Sequence, residues 1–212
     1  KEKHKAGKTK QAWCWPAFGD KGQPIKTIYQ SAFQNLGLTR LPDSWENIST
    51  IDIQAFKNNE ITQLPASWGK VDYIRQEAFK NNKITSLPAS WGKVSKISYG
   101  VFESNQISSL PDSWGEISQI GSSAFESNQI SSLPASWGKI TVISDRVFYR
   151  NKLTRLPDSW GNVTYIGEQA FSANQLASLP ASWGDVLQIK KGAFGYNKLV
   201  SLPDSWGKIT TI

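Results

Sequence analysis

The chain has 212 residues, of which 39% are apolar, with 10 Trp and 9 Phe; this is enough for a continuous core and excludes a disordered polymer. No run approaches the roughly 18 consecutive apolar residues of a membrane span, and no signal peptide is recognisable. The net charge of +7 raises a nucleic-acid reading, but seven Lys lie within residues 1–26, and the remainder carries 17 basic against 15 acidic side chains without the basic stripe that a duplex requires.

Residues 1–12 are Lys-rich and read as a flexible basic tail, solvated rather than bound to a polyanion. Residues 13–27 fit no repeat position yet hold Trp13, Trp15 and Phe18 among turn residues, which predicts an N-terminal cap over the first coil. Cys14 has no partner for an intrachain disulfide and reads as a small core residue.

From residue 28 to 212 one unit recurs every 23 residues, as L-P-x-S-W-G-x-(V/I)-x-x-I-x-x-x-(A/V)-F-x-x-N-x-(I/L)-x-x. The Leu column runs Leu41, Leu64, Leu87, Leu110, Leu133, Leu156, Leu179, Leu202, and a Trp follows each at four residues, from Trp45 to Trp206. A fixed period of this size means units that bury their apolar sides only against their neighbours, a solenoid of eight coils. The chain starts at Lys1, contains no Met and stops within a repeat at Ile212, so we expect a fragment or mature product of a longer protein and an apolar end open to self-association.

Within a unit, Val71, Ile74, Ala78 and Phe79 are spaced as one face of a helix, with Asp72, Tyr73, Arg75, Gln76 and Glu77 between them. Ser67 stands where it would cap that helix, and Asn82 where a left-handed residue would end it, giving about 10 to 12 helical residues. Ile84 to Pro88 reads as a short parallel strand that Pro88 prevents from running on. A strand at I-x-x-x-A-F-x-x-N is rejected because its inward position would carry Gln54, Glu77, Gly100, Ser123, Arg146, Gln169 and Gly192. The Asn column is expected to form a ladder of buried amides, and the Trp column to lie inside with each indole N–H on a backbone carbonyl.

Two stretches carry a resemblance. N-K-L-T-R-L-P-D-S-W-G-N-V-T-Y-I (Asn151 to Ile166) resembles the N-x-L-x-x-L-P segment of leucine-rich repeats. V-T-Y-I-G-E-Q-A-F (Val163 to Phe171) is similar to the S-V-x-x-I-G-x-x-A-F segment of the BspA-like group of bacterial and some protist surface proteins. The resemblance implies an α/β solenoid, a right-handed leucine-rich-repeat coil with one short strand and one short helix per unit. It also implies a secreted or cell-surface protein of bacterial source that acts as an adhesin for a host or neighbouring-cell protein or glycan. The sequence departs from the group where S-W-G follows the Pro and I-x-x-L-P replaces L-x-x-I-x-I-P.

Catalysis requires a nucleophile with a base, paired carboxylates or metal ligands at defined spacing, and the chain offers one His, His4, and one Cys, so no enzyme, metal or cofactor is expected. Asp43, Asp112, Asp158 and Asp204 in L-P-D-S-W read as helix-start chemistry. Ligand-binding candidates are the residues the repeat leaves free. Arg40, Gln63 and Arg155 break an otherwise small polar column beside the Leu, and Tyr73 and Tyr165 stand with basic neighbours on the expected helical side. Asn47-Ile-Ser49 and Asn162-Val-Thr164 match the N-glycosylation pattern. The alternative to an adhesin is a structural spacer or subunit of an extracellular assembly.

Overall fold

The computed structural model describes residues 23–212, so the expected basic tail and the Trp13, Trp15 and Phe18 of the expected cap lie outside the described residues. Eight two-residue strands follow in chain order: Thr27–Ile28 (β1), Thr50–Ile51 (β2), Tyr73–Ile74 (β3), Lys96–Ile97 (β4), Gln119–Ile120 (β5), Val142–Ile143 (β6), Tyr165–Ile166 (β7) and Gln188–Ile189 (β8). They pair in parallel with a register shift of one repeat, as in Ile51 against Ile74, so the period of the sequence is the period of the solenoid.

The strand therefore lies at V-x-x-I, within the stretch whose spacing predicts a helix. A helix needs negative φ throughout, but Glu77 and Asn81 sit at φ 55° and 56°, and their equivalents repeat this in coil after coil. The chain leaves β3 through two tight turns instead. Glu77, Phe79 and Asn81 donate their N–H groups to Tyr99, Val101 and Glu103 of the next coil, at 2.9, 3.0 and 2.9 Å. The alternate N–H groups of Ala78 and Lys80 close the turns locally. The left-handed residue is thus the one before each buried Asn, and not Asn82 itself.

Among the described residues the only helical structure is a single 3₁₀ turn in five of the coils, as at Ala89–Trp91. Ser90 does not cap it; its hydroxyl donates to the Ala66 carbonyl of the preceding coil at 2.6 Å, and Ser67 likewise donates to Asp43. This Ser column is a row of clamps between coils. The expected strand at I-x-x-L-P is reduced to an isolated bridge, Ser86 with Ser109, although Lys83 and Thr85 do donate to the coil before. Pro removes one donor per coil here, whereas V-x-x-I retains every N–H for the ladder.

The interior follows the columns of the sequence. Trp68, Trp91, Trp114, Trp137, Trp160 and Trp183 are fully buried, and so are Phe56 to Phe171. The rings stack in two files: Trp68 and Trp91 have centroids 6.2 Å apart and planes 3° from parallel, and Phe125 and Phe148 are 5.8 Å apart at 0°. Trp91 Nε1 donates to the Pro65 carbonyl at 3.0 Å. Asn105 is buried and makes the expected ladder, donating to the carbonyls of Phe102 and Phe79 and accepting from Ile84 N at 3.1 Å. One amide thus satisfies backbone groups of two coils.

The strand ladder is interrupted twice, between β3 and β4 and between β5 and β6. At both breaks a side chain replaces the backbone: Ser98 Oγ donates to Ile74 O at 2.9 Å and Ser144 Oγ to Ile120 O at 2.7 Å.

Candidate binding surface

The coil presents two long faces of different make. On the Leu–Pro side, Leu110, Leu133 and Leu156 are almost covered and floor a shallow groove of about 510 Å³ with Pro134 and Pro157. Ser132 and Arg155 border it on the side preceding the Leu, and Asp112, Asp158 and Ser159 on the side following the Pro. Arg155 is thereby brought to one groove with two carboxylates. These Asp residues are not at the start of a long helix; they lie in 3₁₀ turns at the groove edge, and the common P-D-S-W context hides that role in the sequence.

Arg40 and Gln63 are exposed in the same column as Arg155 but lie several coils away, outside this groove. Tyr73 and Tyr165 are not on a helix. They occupy β3 and β7, in one outward column of the strand face, and so on a different side from Arg155. Tyr73 is 64% exposed. Tyr165 is half-buried, with Lys190 Nζ 5.7 Å from its ring centre, and Val142 and Leu187 are exposed on the coils either side. The five candidates therefore form two surfaces and not one site.

Between the faces, the tight turns carry a ladder of charge. Lys57 reaches Glu77 at 2.7 Å, and Lys80 lies between Glu77 at 3.2 Å and Glu103 at 2.8 Å. Partial burial alone would raise the Glu77 pKa, but hydrogen bonds from Lys57, Gln54 and Lys80 outweigh it and hold the carboxyl at about 2. Burial opposes the charge of Lys80, and its two Glu partners overcome this and raise its pKa. Arg146 is raised by its hydrogen bonds to Glu126 and also covers the Tyr149 ring at 4.5 Å. These side chains engage one another from coil to coil and so are spent on the scaffold.

Among the described residues no three His, Cys, Asp or Glu stand close enough to hold a metal ion, and no helix is long and apolar enough to cross a membrane.

A sequence profile for the BspA type leucine rich repeat region matches residues 21–131 and 93–201, with six copies. The chain belongs to the BspA-type leucine-rich-repeat family. Proteins built of these repeats generally serve as protein-interaction scaffolds and are typically not catalysts. No curated protein matches the sequence. Among solved structures, this BspA-type solenoid is similar to the functional domain of InlJ from Listeria monocytogenes, with a TM-score of 0.58, 15% identity, and coverage of 82% of this chain and 36% of that one. It is also similar to the leucine-rich effector YopM from Yersinia pestis (TM-score 0.55, 21% identity, 84% of this chain and 52% of that one). A third is the plant peptide hormone receptor RGFR1 in complex with RGF2 (TM-score 0.57, 20% identity, 85% and 31%). At these identities the likeness is one of fold, and the chain spans about a third to a half of the length of the proteins it matches.

Proposed function

We propose that this chain is a non-catalytic binding module, a secreted or cell-surface adhesin of bacterial type, whose ligand is a protein or glycan of a host or neighbouring cell. The observation that carries this reading is the division of labour in each coil. Trp, Phe, Val, Ile, Ala and Asn of the repeat are buried, so specificity is left to the exposed columns that vary from coil to coil. The groove that sets Arg155 near Asp112 and Asp158 is one such surface, and the strand face around Tyr73 and Tyr165 is the other. Membership in the BspA-type family supports a surface role, and both internalin-like and receptor-like neighbours share the fold.

The test is a glycan array and an extracellular-matrix protein array probed with the full chain, followed by the Arg155→Ala and Tyr73→Ala variants. A ligand retained by the wild type and weakened by at least one variant supports the reading. Its failure would be an absence of any ligand at micromolar protein, or a ligand bound equally well by both variants.

A further inference from the structure

The turn that leads from each Trp into its strand is unevenly charged. One of its columns runs Asn47, Lys70, Lys93, Glu116, Lys139, Asn162, Asp185, Lys208. Where this column alternates in sign, the charges pair along the axis, as Lys139 with Glu116 at 2.5 Å and Lys208 with Asp185 at 2.6 Å. Lys70 and Lys93 instead stand one above the other on consecutive coils. Lys70 donates only to the neutral amide of Asn47, and Lys93 has no anionic partner among the described residues.

Two more cations join them on the same two coils. Lys96 lies on β4 beside Tyr73 of β3, exposed and without an anionic partner among the described residues. Arg75 directly follows β3; it reaches Asp52 at 3.6 Å and remains 58% exposed. Of the carboxylates in this region, Asp52 and Asp72 are half-buried, Asp52 being paired with Arg75, and Glu116, which follows Lys93 in its column, is exposed but held by Lys139. Lys70, Lys93 and Lys96 are thus the cations of this patch left without an anionic partner among the described residues. Like charges on neighbouring strands repel, and an anion bound between them removes that cost.

Aromatic surface accompanies the charge. Tyr73 and Tyr99 are 64% and 44% exposed on the same two coils. We propose that this patch binds an anionic polysaccharide, with Lys70, Arg75, Lys93 and Lys96 meeting carboxylate or sulfate groups and Tyr73 and Tyr99 lying against the sugar rings. The spacing favours a sugar over an acidic peptide. Cations of one column recur once per coil, at about 4.7 to 4.9 Å, while side chains on one face of an extended peptide recur at about 6.6 to 6.8 Å. The coil interval is instead close to the advance of one pyranose ring in an extended polysaccharide chain. This inference rests on the reading of the chain as a binding module and assigns that module one site and one ligand class.

The experiment measures binding of the full chain to immobilised polygalacturonate, heparin, polyglutamate and neutral dextran. Polygalacturonate and heparin separate carboxylate from sulfate as the anion, and binding to either supports the proposal. The double variant Lys93→Glu, Lys96→Glu is expected to weaken that binding by about tenfold or more, and Tyr73→Ala by about threefold. Lys152→Glu, an exposed charge change on another part of the coil, is expected to match the wild type. The same comparison is made with Lys1, Lys3, Lys5, Lys8 and Lys10 changed to Gln, and the Lys93→Gln, Lys96→Gln pair guards against misfolding of the reversed-charge variant. The proposal is overturned if the double variants bind like the wild type, if binding disappears with the five N-terminal lysines, or if polyglutamate binds as tightly as either polysaccharide. A protein or neutral glycan from the arrays that the double variants still bind overturns this site while leaving the adhesin reading intact.

Discussion

The strand side and the Leu–Pro side of this solenoid solve the same problem with different groups. On the strand side the main chain joins the coils, through parallel pairing at V-x-x-I, and the outward residues are free to be Tyr, Lys, Gln or Val. On the Leu–Pro side a proline in each coil removes a donor, and side chains take over: the Trp indole binds a Pro carbonyl, the Ser hydroxyl clamps the coil before, and the Asn amide joins two coils. The difference teaches why S-W-G and Asn recur without exception from Trp68 onward while the strand-side positions drift. A side chain that replaces backbone bonding is not free to vary.

The comparison would break most visibly at Trp137. Its Ala variant removes a fully buried ring and the indole bond to Pro111 together, and is expected to lose about 3 to 5 kcal/mol in urea unfolding. Asn105→Ala comes next. It leaves the Ile84 N–H buried without a partner and takes one of two amide donors from the Phe79 and Phe102 carbonyls, which Asn82 and Asn128 still reach, for an expected loss of about 2 kcal/mol. Hydrogen exchange sharpens the test, since Ile84 N–H is expected to lose protection before the strand-side amides do.

A glycine pair then probes the two sides at matched chemistry. A Cβ at Gly121, on the strand side, would fall 2.6 Å from Tyr99 N and 2.7 Å from Ser98 C, whereas at Gly115, in the Trp turn, the nearest atoms are 3.6 Å away. Gly121→Ala is expected to cost about 2 kcal/mol and Gly115→Ala under about 0.5 kcal/mol by the same urea measurement. Equal losses would mean that the strand side is no more closely spaced than the other. Ser98→Ala removes the hydroxyl that bridges the break between β3 and β4, and about 1 kcal/mol is expected.

These residues also mark what could be read from the sequence. The inward columns, the Asn ladder and the buried Trp file follow from period and residue type, because each column has one environment in every coil. The secondary structure does not follow in the same way. Spacings of three, four and one suit a helix, and they equally suit a short strand followed by two tight turns. What separates the two paths is positive φ at Glu77, Gln169 and Arg146, residue types with no preference for that region. The groove was half legible: Arg155 stands out from a column of Ser, but the Asp residues opposite it fit helix starts as well as a groove wall. The basic patch was hidden by its average, since a column of mixed sign still contains two adjacent lysines.

The smallest effect is expected at the turns that connect the two sides. Glu77 has a folded-state pKa of about 2, below its ordinary value of 4.5, because Lys57, Gln54 and Lys80 bind its ionised form. The stability it contributes is therefore complete above pH 4.5, declines as the pH falls, and is lost below about pH 2. Glu77→Gln is expected to lower stability at pH 7 by up to about 1 kcal/mol, as for a partly exposed network, and to differ less from the wild type at each step toward pH 2. Added salt should narrow the same gap at neutral pH. A difference that stays constant from pH 7 to pH 2 would show that Glu77 acts through packing, and the charge ladder would then have no part in joining the strand side to the Leu–Pro side.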